Sequence, residues 1–190
     1  MMSRSGPKRS PHRLFAAIEL PEHVRHEVAG WARGVARGGD RVRVVPSRNL
    51  HITLTFIGGQ PESEIPSIAA ALRESAAPVT GLSTGAPLWL PRRRPRALAL
   101  EVHDSLGQLA EVQRATARAV AEAVGQPAPD KAWLPHLTAI RLSRGAAVPG
   151  PELPVTPAIG FDAEAVTLFR SQLKPEGAEY EALERVEPVR

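Results

Sequence analysis

Two segments of this chain, HITL at 51–54 and HLTA at 136–139, repeat one alternation of polar and apolar residues. Successive side chains on a β-strand point to opposite faces. His51 and Thr53 therefore share a face, with Ile52 and Leu54 behind them. His136 and Thr138 share a face opposite Leu137 and Ala139. Strands of this kind bury one face and leave the other polar. The chain must therefore build a sheet with one covered side and supply helices to cover it.

It has the segments to do so. RLFAAIEL (13–20) predicts a first strand, and Pro21 with Glu22 suits the start of a helix whose Val24, Val28, Trp31 and Val35 recur at helical intervals. A short strand at 41–46 and the turn PSRN precede the first motif strand, 50–58. A second helix follows at 61–76, then an extended stretch with irregular glycines, the turn PRRRPR (91–96) and the strand 97–102. Residues 104–124 give the clearest helix, with Asp104 as its N-cap and Gly125 past its end. After a Pro-rich loop come the second motif strand (136–143), a Gly/Pro loop (144–154) and strands near 155–161, 164–170 and 178–186. The order β α β β α β β α β β β β, with hairpin-like pairs, excludes simple βαβ winding. The expected class is α+β, with helices outside a largely antiparallel sheet.

A chain of 190 residues is large enough to bury a core without staples. It contains no cysteine, which excludes thiol catalysis, cysteine zinc sites and disulfides. MMSRSGPKRSPH (1–12) reads as a disordered basic tail, and no apolar run approaches the roughly 20 residues of a membrane helix. A cytoplasmic, monomeric protein without membrane attachment is expected. The net charge is +4, and only Lys8, Lys131 and Lys174 of the 24 basic residues are lysines. Arginine's fork of donors suits phosphate, so the balance leans towards nucleic acid, although a GC-rich genome enriches arginine as well.

Two imidazoles on opposite sides of a phosphodiester make an acid–base pair. One accepts the proton of a nucleophile and the other protonates the leaving oxygen, each worth about 10²–10⁴-fold in rate. The adjacent threonine hydroxyls can donate to the non-bridging phosphate oxygens. This chemistry calls for no metal and no other cofactor. One His-x-Thr in a strand is a common accident; two in matching contexts, from only six histidines, are not.

These residues resemble the 2H phosphoesterase superfamily, named for two His-x-Thr/Ser-x motifs. RLFAAIELP, RVVPSRNLHITLTFIG, PHLT with Arg141 three residues beyond its threonine, and VTLFRSQLKPEGAEYEAL resemble the RNA 2′,3′-cyclic phosphodiesterases, historically called 2′-5′ RNA ligases. The resemblance spans about residues 13–185 and implies one bilobal domain over 13–190. Its two pseudo-symmetric lobes would each supply a motif strand to a central cleft. It further implies opening of an RNA terminal 2′,3′-cyclic phosphate to a 2′-phosphate, with His51 as proton donor, His136 as proton acceptor, and Thr53 and Thr138 holding the phosphate. Val44 stands where relatives often carry tryptophan, and Ala139 where a larger apolar residue is usual. The alternatives are 2′-5′ ligation, hydrolysis of small cyclic nucleotides or 2′-5′ oligonucleotides, and a nucleotide- or RNA-binding module without catalysis.

Other residues carry narrower expectations. Arg141 matches the family arginine and is a candidate phosphate ligand, although strict alternation puts it on the face away from His136 unless a bulge intervenes. Arg43, in the strand before the first motif, is a candidate cleft residue. The run Arg92, Arg93, Arg94 and Arg96 reads either as an RNA-tracking surface or as a solvated turn. Trp133 reads as a base-stacking or a packing residue. Phe56, five residues past His51, is expected in the core.

Overall fold

The computed structural model describes residues 11–37, 41–130, 132–146, 153–175 and 177–188. The expected basic tail lies outside these residues except for Pro11 and His12, and His12 already opens the first strand. Most of the loop expected at 144–154 also lies outside them.

The elements follow the expected order: β1 (His12–Glu19), α1 (Glu22–Ala36), β2 (Val42–Val44), β3 (His51–Gln60), α2 (Ile65–Ser75), β4 (Leu82–Leu90), β5 (Ala97–Asp104), α3 (Gln108–Ala123), β6 (His136–Leu142), β7 (Gly160–Phe161), β8 (Ala165–Lys174) and β9 (Gly177–Val186). Short 3-10 turns at 47–49 and 62–64 lead into β3 and α2. All nine strands lie in one antiparallel sheet. Its path is β7-β4-β5-β6-β3-β1-β8-β9, and β2 pairs beside β6 off that path. The fold is therefore α+β, as the sequence predicts. Among the described residues, no helix is long and apolar enough to cross a membrane.

The helices cover the apolar face. Val24, Val28, Trp31 and Val35 of α1, Ile68 and Leu72 of α2, and Leu109, Val112 and Val120 of α3 are buried against Ile18, Ile52, Leu54, Leu98, Leu100 and Leu137 of the strands. Fully burying one such aliphatic side chain contributes roughly 1.5–3 kcal/mol, which fixes the covered face of every central strand.

The two motif strands are neighbours, joined by one ladder pair, Ile52 with Leu137. Both residues are fully buried. Counting outward along antiparallel strands sets His51 across from Thr138 and Thr53 across from His136, the arrangement of a local two-fold axis. Farther along, β6 changes partner: Ile140, Arg141 and Leu142 pair with Val44, Arg43 and Val42 of β2. The sheet forks there.

Two expectations change at element ends. Asp104 is not the N-cap of α3. It closes β5, and the chain then turns through Gly107, whose φ of 74° places it in the left-handed region that glycine tolerates. Asp104 still reaches the helix, because its Oδ2 accepts the Ala110 backbone N–H at 3.0 Å. The strand expected over 155–161 is regular only at Gly160–Phe161.

Candidate active site

In β3 and β6 the register breaks, and this brings the site together. The burial sequence of HITLTFI (51–57) is half-buried, buried, half-buried, buried, buried, exposed, buried; HLTAIRL (136–142) repeats it residue for residue. In each strand two consecutive residues, Leu54 with Thr55 and Ala139 with Ile140, point to the helix side. The pairing shows why. Ala17 and Ala16 oppose Thr53 and Thr55, skipping Leu54, while Ala99 and Leu98 oppose Thr138 and Ile140, skipping Ala139. An extra residue reverses the alternation beyond it. Arg141 therefore emerges on the same side as His136, and Phe56 on the same side as His51. The expectation of a core Phe56 is wrong for this reason: it is 77% exposed.

His51, Thr53, His136, Thr138, Arg141 and Arg43 all line one cleft of about 900 Å³. Arg96 joins them, as do Arg48 and Asn49, for which no motif or spacing argues. Arg92, Arg93 and Arg94 do not line it and stand exposed at the turn beyond its rim. Trp133 is not in the lining either. Its indole Nε1 donates to the Thr53 carbonyl at 3.0 Å and its ring packs on the core, which ties the approach to β6 onto the first motif strand.

The histidines are held alike. The Nδ1 of His51 lies 2.7 Å from the Asn49 carbonyl, and the Nδ1 of His136 lies 2.7 Å from the Leu134 carbonyl. A carbonyl only accepts, so each Nδ1 carries the hydrogen and each Nε2 is left for chemistry: a base when neutral, an acid when protonated. His51 Nε2 is 3.1 Å from Thr53 Oγ1, so the neutral ring accepts the threonine hydroxyl. Burial lowers the His51 imidazole from 6.5 to about 4; the Asn49 carbonyl opposes this, and the charges of Arg141 and His136 add to it. His51 is thus neutral at pH 7 in the free cleft.

The cause of that burial is aromatic. Phe15, Phe169 and Tyr180 have ring centroids 5.0, 6.3 and 5.4 Å from His51, and Phe56 is 6.3 Å from Phe15. The sequence has only four phenylalanines and one tyrosine. Four of these five rings lie on β1, β3, β8 and β9, the exception being Phe161 on β7; that was the available signal, but it has meaning only once those strands are known to be adjacent. The other wall is cationic. Arg43 and Arg141 are direct cross-strand partners, and Arg141 also pairs with Ala97, beside Arg96. The tip of the β8–β9 hairpin is held over the cleft: Asn49 Nδ2 donates to the Ala178 carbonyl at 2.8 Å. At Gly177 (φ 141°), a Cβ would sit 3.0 Å from Arg43 Nη1. Among the described residues, no group of three histidine, aspartate or glutamate side chains is placed to hold a metal ion.

A family model described as LigT like phosphoesterase matches residues 18–98. The chain is 34% identical over 180 residues to a Thermus thermophilus RNA 2′,3′-cyclic phosphodiesterase, covering 91% of this chain and 88% of that protein. It is 28% identical over 150 residues to the Escherichia coli protein of the same description, covering 74% and 78%. Among solved structures, TT0787 of Thermus thermophilus superposes with a TM-score of 0.77 at 28% identity, over 92% of this chain and 97% of that one. E. coli LigT complexed with 3′-AMP superposes with a TM-score of 0.74 over 95% and 99%, and at 20% identity that likeness concerns the fold.

Proposed function

The chain belongs to the LigT-like phosphoesterases, and from that membership we propose that it hydrolyses the terminal 2′,3′-cyclic phosphate of RNA to a 2′-phosphate. The observation that carries the reading is the matched pair of imidazoles. Each has Nδ1 tied to a backbone carbonyl and a threonine on its cleft side, and Arg141 is brought round by the bulge.

In this reading the Nε2 of His136 takes a proton from water, whose oxygen attacks phosphorus opposite the 3′ oxygen. The bond from phosphorus to the 3′ oxygen breaks, and the Nε2–H of His51 protonates that oxygen. The products are a 2′-phosphate and a free 3′-hydroxyl, with His136 protonated and His51 neutral; exchange with solvent restores both. His51 is neutral in the free cleft, so the phosphate anion must recharge it. Once protonated, its Nε2 no longer accepts from Thr53, and the Thr53 hydroxyl hydrogen turns to a phosphate oxygen. Thr138 and Arg141 offer further donors to the equatorial oxygens, where charge accumulates.

The test is turnover of a short RNA ending in 2′,3′-cyclic phosphate, assayed in EDTA, with His51→Ala and His136→Ala beside the wild type. The expected result is a 2′-phosphate product and a loss of about 10²–10⁴-fold in kcat for either variant, with RNA binding largely retained. A 3′-phosphate product, or wild-type turnover in either variant, contradicts the mechanism.

A further inference from the structure

The cleft has two unlike walls. The aromatic wall, from β1, β3, β8 and β9, surrounds His51 and ends at the exposed ring of Phe56. Its cations are Arg13 and Lys174, and Lys174 is paired with Glu179 at 2.5 Å. The arginine wall, from β2, β5 and β6, sets Arg43 directly beside Arg141 and Arg141 beside the Arg96 corner. Leu90 and Pro91 continue this wall, and the Arg96 backbone N–H donates to the Leu90 carbonyl at 2.7 Å, closing the turn. At its tip Arg92, Arg93 and Arg94 are exposed, and none makes an ion pair among the described residues.

We propose that this asymmetry orients a single RNA strand. The terminal nucleobase lies on the aromatic wall at Phe56, and the 5′-ward backbone runs over Arg141, Arg43 and Arg96 to the turn bearing Arg92, Arg93 and Arg94. The inference rests on the proposed reaction and adds to it a strand direction and a substrate class: oligonucleotides in preference to cyclic mononucleotides. Bases stack on aromatic faces irrespective of sequence, while a row of guanidinium groups follows phosphates by charge.

The test compares the wild type with the triple variant Arg92→Gln, Arg93→Gln, Arg94→Gln, none of which touches the reacting phosphate. Substrates are a cyclic mononucleotide and RNAs of two, four and eight nucleotides ending in cyclic phosphate. The wild-type kcat/KM should rise with length and then level off. The variant should lose on the order of tenfold on the longest RNA, keep mononucleotide turnover, and show a salt slope shallower by about 0.7 per lost phosphate contact. Absence of length dependence in the wild type overturns the proposal, as does an equal loss on all lengths.

Direction is read separately. The chain has no cysteine, so Arg93→Cys carries a single photocrosslinker. Crosslinks should fall on 5′-ward nucleotides of the eight-nucleotide RNA; crosslinks confined to its 3′ end overturn the path. If no RNA is turned over at all, the proposed reaction fails. The same length series, read by fluorescence anisotropy, then decides the strand path independently.

Discussion

His51 is held at both ring nitrogens, by the Asn49 carbonyl and the Thr53 hydroxyl, and lies half-buried among three aromatic rings at the cleft. Its pKa of about 4 gives a pH prediction with a definite sign. A cyclic phosphate is an anion across the working range, so binding it raises the pKa of His51. Between pH 4 and the raised value, complex formation takes up a proton, and affinity falls as pH rises, by up to tenfold per unit. Calorimetry in buffers of different ionisation enthalpy, on the slow His136→Ala variant with cyclic-phosphate RNA, should give uptake approaching one proton near pH 6. Zero uptake would mean that His51 stays neutral in the complex and serves as the base. Phe56 makes a second prediction at this scale. A buried Phe→Ala change costs about 3–5 kcal/mol. Because Phe56 is 77% exposed, Phe56→Ala should alter urea stability by no more than about 0.5 kcal/mol while raising KM. A core-sized loss of stability would refute its placement in the cleft.

At the scale of elements, the hairpin joining β8 to β9 illustrates how backbone freedom serves the site. Gly177 combines a φ of 141° with close approach to Arg43. Gly177→Ala should therefore cost about 1–3 kcal/mol in denaturant melts and displace Arg43, weakening phosphate binding as well. Wild-type stability in that variant would show that the hairpin tip relaxes freely. The order of strands and helices was legible because apolar spacing in α1 and alternation in HITL and HLTA report directly on burial. The direction of Arg141 and Phe56 was not, because a bulge is set by the pairing partner and leaves no local mark. Leu54 and Thr55 look like ordinary strand residues until Ala16 and Ala17 of β1 fail to match them. The place of Asp104 is hidden for a related reason: Gly107 is the N-cap, and Asp104 reaches the Ala110 N–H across that glycine turn, a reach only the fold reveals. The repeated His-x-Thr spacing was visible, but the aromatic enclosure of His51 depended on strands distant in sequence.

For the molecule as a whole, the two motif strands share a single ladder pair, Ile52 with Leu137, and the walls of the cleft spread from it. Removing one methylene there should disturb chemistry more than stability. Ile52→Val is expected to cost about 0.5–1.5 kcal/mol, as is Ile18→Val, equally buried on the neighbouring strand. The kcat should fall for Ile52→Val and hold for Ile18→Val; equal effects on kcat would show that the joint has no special standing. In mechanical terms the pair is a fulcrum. A change of shape in either wall moves one imidazole along with its surroundings, but a change at the fulcrum alters the span between the two. The aromatic wall and the arginine wall can thus be rebuilt for new substrates one at a time, whereas two aliphatic side chains that no substrate touches set the gauge of the reaction.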